Sequence, residues 1–298
     1  MKPAAFKYAL PRTLDEALAV KAEHGDEAMF LAGGQSLIPA MNFRLAQPAV
    51  LIDINAIEEL AFIRVDEDGG DLRLGALTRH RDLQFDPLIA ACQPLVHEAA
   101  PNVAHQQIRN RGTLCGNLVH ADPASELPAV ILALDARLRL QSKAGERWLA
   151  ARDFFLSVFT TARGDDEMLV EVALPAAAPR TGTCFLEITR RPGDYAMMGV
   201  AAVLVLDDDG TCSDARLTYC SAGETPVAAR AAAAALVGGR ITDDDIAAAA
   251  DQAKLEIAPV GSVHASIEFQ RHLAGVVTRR ALGQALARAS AAEPEATP

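Results

Sequence analysis

The sequence predicts an α+β fold, in which a mixed N-terminal region of about 175 residues precedes a C-terminal module of strands and then helices. The first observation behind this prediction is that β-like apolar runs dominate up to residue 174, with short helical patterns between them. The second is that three strand-like runs and then three Ala-rich helical patterns follow. The third is a segment at 175–183 with Pro175, Pro179 and Gly182, which is typical of a linker.

The N-terminal region is predicted to open with a short amphipathic helix over 13–23. Thr13 suits its N-cap, since a Thr hydroxyl can accept a hydrogen bond from a free N–H of the first turn. Strands are predicted at 28–31, 49–54, 60–65, 72–77, 138–140 and 168–174. Helical patterns are predicted at 83–100, with breaks at Pro87 and Pro94, and at 126–135, and a polar loop is predicted at 102–117.

The C-terminal module is predicted to contain a three-stranded antiparallel sheet and a helical bundle. Its strands are expected at 183–190, 200–206 and 215–220, with the turn signal Asp207-Asp-Asp-Gly between the second and the third. Its helices are expected at 226–237, 243–257 and 263–289. The acidic residues 243–245 suit a helix N-terminus.

Composition excludes several classes of function. The chain has 298 residues, with 28 Lys and Arg against 39 Asp and Glu, so its net charge is −11. This balance disfavours binding to nucleic acid, and no apolar run approaches the roughly 20 residues that a membrane span needs. The five cysteines are scattered, without a C-x-x-C pair. We therefore expect a cytoplasmic protein whose redox metals, if any, lie in another chain.

Residues 31–37 (LAGGQSL) follow a predicted strand and contain adjacent glycines. Two glycines permit positive φ and close backbone approach, so that successive N–H groups can form an anion-binding nest, with Ser36 as a further donor. The alternative interpretation is an ordinary tight turn. The segment has neither the dinucleotide fingerprint G-x-G-x-x-G nor the spacing of a P-loop.

A second donor-rich segment spans 108–128. Thr113, Gly116 and Asn117 could hold a diphosphate, with Asp122 or Glu126 against sugar hydroxyls. The alternative is a surface loop in which Asp122 or Ser125 caps the following helix. Because the two segments contain almost no Lys, a dinucleotide held by backbone dipoles fits them better than a transferable phosphate.

Several motifs together resemble a known family. Residues 32–36 (AGGQS), 113–117 (TLCGN) and 121–126 (ADPASE) are similar to those of the FAD-binding (medium) subunit of molybdenum hydroxylases of the xanthine dehydrogenase and carbon monoxide dehydrogenase type. Residues 6–17, 109–112, 168–171 and 219–226 also fit. The resemblance covers nearly the whole chain in collinear order, but it is not specific for a substrate.

The resemblance implies a particular domain organisation. Residues 1–177 would form an FAD-binding region of the vanillyl-alcohol-oxidase/PCMH type, with subdomains at about 1–57 and 58–177. Residues 178–290 would form a C-terminal domain like that of the carbon monoxide dehydrogenase flavoprotein, and residues 291–298 a flexible tail.

The resemblance also implies a cofactor site. Two glycine-containing loops would bind the FAD diphosphate, and Tyr195, within residues 190–196, would stack on the isoalloxazine. Many family members have Gly where this chain has Cys115, which would be strained if the position required positive φ. The full predicted set is Leu31, Ala32, Gly33, Gly34, Gln35, Ser36, Leu37, Thr113, Cys115, Gly116, Asn117, His120, Asp122, Glu126, Leu169 and Tyr195.

The function implied is electron transfer within a complex. Electrons would pass from a molybdopterin-binding large subunit, through a small [2Fe-2S] subunit, to FAD in this chain and then to an external acceptor, and the assembly would be a dimer of heterotrimers. FAD is expected to be noncovalent, because the first loop offers Gln35 and no His or Cys that could tether it. The alternatives are a self-contained FAD-dependent oxidoreductase of the same superfamily and a non-catalytic nucleotide-binding module.

Overall fold

A computed structural model describes residues 1–67 and 70–291 of the chain. The strands are β1 (Lys7–Ala9), β2 (Ala28–Leu31), β3 (Val50–Asp53), β4 (Ile63–Val65), β5 (Leu72–Gly75), β6 (Arg137–Ser142), β7 (Gly145–Ala150), β8 (Phe155–Ser157), β9 (Thr160–Thr161), β10 (Met168–Leu174), β11 (Thr181–Ile188), β12 (Met198–Leu206), β13 (Cys212–Cys220) and β14 (Val227–Ala228). The helices are α1 (Leu14–His24), α2 (Leu37–Asn42), α3 (His80–Phe85), α4 (Pro87–Cys92), α5 (Pro94–Ala99), α6 (Gln106–Arg109), α7 (Leu114–His120), α8 (Glu126–Ala133), α9 (Arg230–Ala234), α10 (Asp243–Glu256) and α11 (Ile267–Ala291). The tail predicted at 291–298 lies, from residue 292 onward, outside the described residues.

The first part of the chain forms a parallel sheet in the order β1-β3-β2. Strands β2 and β3 are in register with Leu31 opposite Asp53. Because both strands run in the same direction, the segments that follow Leu31 and Asp53 leave the sheet at one edge. Ligands of open parallel sheets bind at such carboxyl edges.

The second part is an antiparallel sheet in the order β4-β5-β10-β6-β7, with short helices packed against it. The helical pattern predicted at 83–100 is three helices that begin at His80, because Pro87 and Pro94 each start a new helix at its first position. The loop predicted at 102–117 was too long, since it contains α6 and the start of α7. Thr113 caps α7 through a hydrogen bond from the Gly116 N–H at 3.1 Å.

The C-terminal part is an antiparallel sheet in the order β11-β12-β13-β14, packed against α10 and α11. Three strands were predicted in this part, and the structure has four. The fourth, β14, consists of Val227 and Ala228, which pair with the end of β13 at the position where a helix was predicted to begin at 226. The helix start predicted at Asp243 is confirmed. Thr242 and Asp245 form a reciprocal capping box there.

Strand β12 is buried on both faces. Met198, Val200, Ala202 and Leu204 face the core formed with the C-terminal helices, whereas Ala201 and Val203 belong to the core of the preceding region. Side chains of a strand alternate between its faces, so one strand closes two cores. The two regions are therefore packed together through β12.

Within residues 1–67 and 70–291, no helix is both long and apolar enough to cross a membrane.

Candidate functional site

The first glycine loop (residues 31–37) runs from β2 into α2 at the carboxyl edge of the parallel sheet. Gly34 has φ of +71°, a conformation that costs a side-chain-bearing residue about 1–2 kcal/mol. Among the described residues, no hydrogen-bond acceptor is found for the backbone N–H groups of Gly33, Gly34, Gln35 and Ser36. Successive donors of this kind form the nest that binds phosphate oxygens.

The second glycine loop (residues 111–126) lies directly against the first. A Cβ placed on Gly33 would lie 2.5 Å from the carbonyl oxygen of Arg111 and 2.7 Å from the Cα of Gly112. Both distances are shorter than real Cβ contacts, so the two backbones touch only because Gly33 has no side chain. The structure thus brings together the two loops that the sequence predicts as parts of one site.

A cleft of about 360 Å³ opens over the first glycine loop. Its walls also include Asp53, Asn55 and Arg111. Burial pushes the pKa of Asp53 up, but hydrogen bonds from Tyr8 and Asn55 and the charge of Arg111 more than offset this and hold that pKa below its ordinary value. The cleft therefore contains a carboxylate and a guanidinium beside the free N–H groups. Such a donor set fits the diphosphate and a hydroxyl-bearing sugar of a dinucleotide.

The polar side chains of the second glycine loop are partly engaged with each other. The Asn117 Oδ1 accepts a hydrogen bond from the Ser125 hydroxyl at 2.9 Å, and the Asp122 Oδ1 accepts one from the Ala124 N–H at 2.9 Å. Ser125 occupies the N-cap position of α8 but its side chain makes no capping bond. Gly116 is exposed on α7, and the Asn117 amide N–H groups stay available for a ligand.

His80 is buried beneath the second glycine loop and holds it by a hydrogen bond. Its side chain is 4% exposed, and its Nε2 donates to the Thr113 carbonyl at 3.0 Å. Burial is the main cause that lowers the His80 pKa to about 4, so the ring is neutral at pH 7. A Cβ on Gly112 would lie 2.9 Å from the His80 Nδ1, which leaves no space for a side chain at that position.

Two predicted site residues do not present side chains to the cleft. Cys115 is 3% exposed and Leu169 is 2% exposed, and both pack in the core of the N-terminal region. Their side chains point into packed protein, so the predicted cofactor contact at these two positions would have to come from backbone groups. Cys115 lies within α7 and is not among the residues with positive φ, so the expected strain is absent at this position. Burial raises the pKa of its thiol, which makes the group unreactive.

Tyr195, Asp122 and Glu126 lie near each other at the other end of the second glycine loop. Desolvation raises the pKa of Tyr195, and the negative charges of Asp122 and Glu126 add to the effect. The Tyr195 side chain is 73% exposed and free to stack on a planar ligand. Its segment is attached to the loop through Ser221, whose N–H donates to the Pro123 carbonyl at 2.8 Å and whose hydroxyl donates to the Ala196 carbonyl at 2.6 Å.

His120 ends α7 and contacts a β-hairpin. Its ring centroid lies 5.0 Å from that of Phe159, and burial lowers its pKa. The side chain is half-buried against an aromatic ring, which accounts for its position without a ligand.

A pair of buried carboxyl groups lies where α8 meets the C-terminal sheet. Burial raises the pKa of Glu126 to about 7, with a further contribution from Asp122. Burial also raises the pKa of Glu187 to about 8, and the nearby Glu126 adds to it. Burial raises the pKa of the Cys220 thiol, and the charges of Glu126 and Glu187 add to this effect. Burial, with repulsion between the two acids as a smaller cause, therefore favours the protonated form of both carboxyls.

This pair predicts a pH-dependent stability. Carboxyls whose pKa is raised by folding hold protons that the unfolded chain releases, so the free energy of unfolding should fall as pH rises from 5.5 to 8.5. The double variant Glu126→Gln/Glu187→Gln should lose less stability over this range than the wild type. Thermal unfolding of the FAD-free chain at both pH values measures the difference. The exposed Glu224→Gln is the control, and parallel pH profiles for wild type and double variant would contradict the prediction.

Sequence reasoning missed several residues of this site, namely Tyr8, Asp53, Asn55, Arg79, His80 and Arg111. A signal existed for Asp53 and Asn55, since they follow a predicted strand as the first glycine loop does. Their position beside that loop depends on the parallel pairing of β2 with β3, which was not predicted.

Comparison with known proteins agrees with this geometry. Residues 4–177 match the model of the FAD binding domain in molybdopterin dehydrogenase, and residues 183–285 match that of the CO dehydrogenase flavoprotein C-terminal domain. Two such domains, with two glycine loops at the edge of the first sheet, define an FAD-binding flavoprotein.

Two relatives and a solved structure narrow the class of flavoprotein to which this chain is similar. The 6-hydroxypseudooxynicotine dehydrogenase complex subunit alpha of Paenarthrobacter nicotinovorans is 41% identical, with 97% of each chain covered. The carbon monoxide dehydrogenase medium chain of Hydrogenophaga pseudoflava is 36% identical, over 97% of this chain and 99% of the relative. A solved structure of carbon monoxide dehydrogenase from Hydrogenophaga pseudoflava, in a form that lacks the Mo-pyranopterin moiety, superposes with a TM-score of 0.93 at 38% identity, covering 97% of this chain and 99% of the other.

The chain belongs to the FAD-binding medium subunits of molybdenum hydroxylases of the carbon monoxide dehydrogenase and xanthine dehydrogenase type, which are oxidoreductase components. The family, the fold class and the FAD cofactor predicted from the sequence are confirmed.

Proposed function

We propose that this chain binds FAD noncovalently across the two glycine loops and passes electrons between a partner subunit and an external acceptor. The backbone N–H groups of the first glycine loop and the charge of Arg111 would hold the diphosphate. Asn117, Asp122 and Glu126 would contact hydroxyl groups, and Tyr195 would lie against the isoalloxazine. When bound, FAD supplies the redox chemistry, while the chain supplies binding, orientation and exclusion of water.

The contact between Gly33 and the Arg111–Gly112 backbone is the observation that carries this assignment. It places the free donors of the first glycine loop beside the start of the second, whose far end lies near Tyr195. The two loops therefore offer backbone donors at the cleft and an exposed aromatic ring near the far end of the second loop. A dinucleotide needs such an arrangement, with phosphate donors at one point and a stacking surface at another.

The remainder of the electron path would lie in other subunits. Among the described residues, no group of three or more His, Cys, Asp or Glu side chains could hold a metal ion. Relatives are named as a medium chain and as a subunit of a dehydrogenase complex. We therefore propose a large molybdopterin-binding partner and a small [2Fe-2S] partner, assembled as a dimer of heterotrimers. The five free cysteines suit the reducing cytoplasm proposed as the location.

We expect FAD to leave the chain on denaturation. The first glycine loop has Gln35 after its glycines and contains no His or Cys that could tether a flavin, and the Gln35 Nε2 donates to the Gly33 carbonyl at 2.9 Å. The purified full chain should be yellow, with about one FAD per chain, and heat or acid should release that FAD into the supernatant. Flavin that stays with the precipitated polypeptide would contradict noncovalent binding, and a colourless protein that binds no added FAD would contradict the proposed function.

A further inference from the structure

Two side chains outside the predicted site connect the two glycine loops. The Asn55 Nδ2 donates to the Ala32 carbonyl at 2.9 Å, just before Gly33. The Arg79 Nη2 donates to the Asn55 Oδ1 at 2.5 Å, and the Arg79 Nη1 donates to the Arg111 carbonyl at 2.5 Å. A chain of three hydrogen bonds therefore runs from one loop to the other.

The Asn55 end of this chain is fixed by the parallel sheet. The Asp53 Oδ1 accepts hydrogen bonds from the Asn55 N–H at 2.9 Å and from its Nδ2 at 2.6 Å. The Asp53 Oδ2 in turn accepts from the Tyr8 hydroxyl at 2.6 Å. Tyr8 belongs to β1, Asp53 ends β3 and Ala32 follows β2, so all three strands of the sheet contribute. Asn55 is thus held in one orientation before it meets Arg79.

The Arg79 end belongs to the second subdomain. Arg79 precedes α3, where its N–H donates to the Asp82 carboxylate at 2.9 Å and its backbone pairs with Thr113. A guanidinium has several donors in one plane and can satisfy two acceptors at once. One side chain therefore spans from the Asn55 amide to the second glycine loop.

This arrangement controls where the free N–H groups point. A peptide unit is planar, so a carbonyl held in one direction fixes the N–H of the next residue in the opposite direction. The hydrogen bond from Asn55 to the Ala32 carbonyl therefore sets the direction of the Gly33 N–H, and the bond from Arg79 holds the Arg111 carbonyl against Gly33. We propose that Asn55 and Arg79 are positioning residues that hold the two glycine loops in the relative placement that binds the FAD diphosphate.

The proposal rests on the proposed function and is tested with the purified full chain and FAD. Asn55→Ala and Arg79→Ala should each raise the Kd for FAD, measured by quenching of flavin fluorescence, about tenfold or more, since each variant breaks the chain of hydrogen bonds between the two glycine loops. Because both residues belong to one chain of bonds, the double variant should bind about as weakly as either single variant. The control is Arg81→Ala, which removes an equal charge from an exposed position on α3.

A conservative variant separates position from charge. Arg79→Lys keeps the positive charge, but a single ammonium on a flexible stem cannot hold both acceptors in one plane, so its Kd should rise as it does for Arg79→Ala. The ³¹P resonances of bound FAD should also shift in the Asn55 and Arg79 variants and not in Arg81→Ala. Full binding by Arg79→Lys, or a fall in the unfolding midpoint of the FAD-free chain with unchanged Kd and ³¹P shifts, would overturn the proposal. If the wild type itself bound no FAD, the proposed function would fail first.

Discussion

Replacing Gly33 with alanine should remove FAD from an otherwise folded chain. The added methyl would lie 2.5 Å from the Arg111 carbonyl oxygen and 2.7 Å from the Gly112 Cα, both of which are backbone atoms of the second glycine loop. These atoms cannot rotate away as a side chain could, so the loops must separate. Overpacking of this kind costs up to about 3 kcal/mol, which corresponds to a rise of about a hundredfold in Kd.

Absorbance of the bound flavin and circular dichroism of the polypeptide test this result together. We expect loss of the yellow colour with an unchanged far-ultraviolet spectrum, because the clash is confined to the site. Gly283→Ala is the matched control, since a Cβ there meets nothing within 4 Å and alanine favours the helix in which it lies. Full FAD occupancy in Gly33→Ala would show that this glycine only forms a turn.

With FAD bound, the chain alone should not oxidise the organic substrate that its assembled complex turns over. The described residues have no cluster suited to a metal, and the buried Cys115 thiol is no nucleophile at neutral pH. Under the proposed relay, substrate electrons reach this chain from a partner subunit. Anaerobic stopped-flow absorbance at flavin wavelengths should show bleaching with the complete complex and none with the isolated chain on the timescale of turnover.

A chemical control completes that experiment. Dithionite should bleach the flavin of the isolated chain, which demonstrates that the bound FAD can be reduced. Bleaching of the isolated chain by substrate, at a rate that matches turnover of the complex, would exclude the relay and establish a self-contained oxidoreductase.

The strands, helix caps and loops that were predicted correctly are those whose sequence signals extend over only a few residues. The strand predicted at 28–31 and the strand predicted at 168–174 have the observed bounds, because each is a short apolar run ended by turn residues or polar residues. Thr13 caps α1 as predicted, since a hydroxyl before a helical pattern acts over only three residues. The two glycine loops were found for the same reason, as clusters of small and donor residues.

Strands with polar or exposed side chains, and hydrogen bonds between residues distant in sequence, were not found. Strand β7 and the hairpin of β8 and β9 were missed, because β7 is polar and partly exposed and the hairpin has Leu156, Val158 and Phe159 in solvent. Neither has the alternation that indicates a strand. The links from Asn55 to Arg79 and from Tyr8 to Asp53 join residues 24 and 45 positions apart, and only the folded chain brings them together.

Strand β12 limits how freely such subunits can exchange domains. A chimera that took its C-terminal domain from a relative would have to bring a strand whose outward row fits the existing N-terminal core, where Ala201 and Val203 are now packed. Poorly fitting side chains on this face of β12 would leave a void or a clash in the N-terminal core, even if every residue beside the flavin were native. Because Phe185 of β11 and Cys220 of β13 belong to the same core, the compatibility of two parental sequences is decided along the face that β11, β12 and β13 present to the N-terminal region, and a recombination point before β11 should be tolerated only where that face is matched.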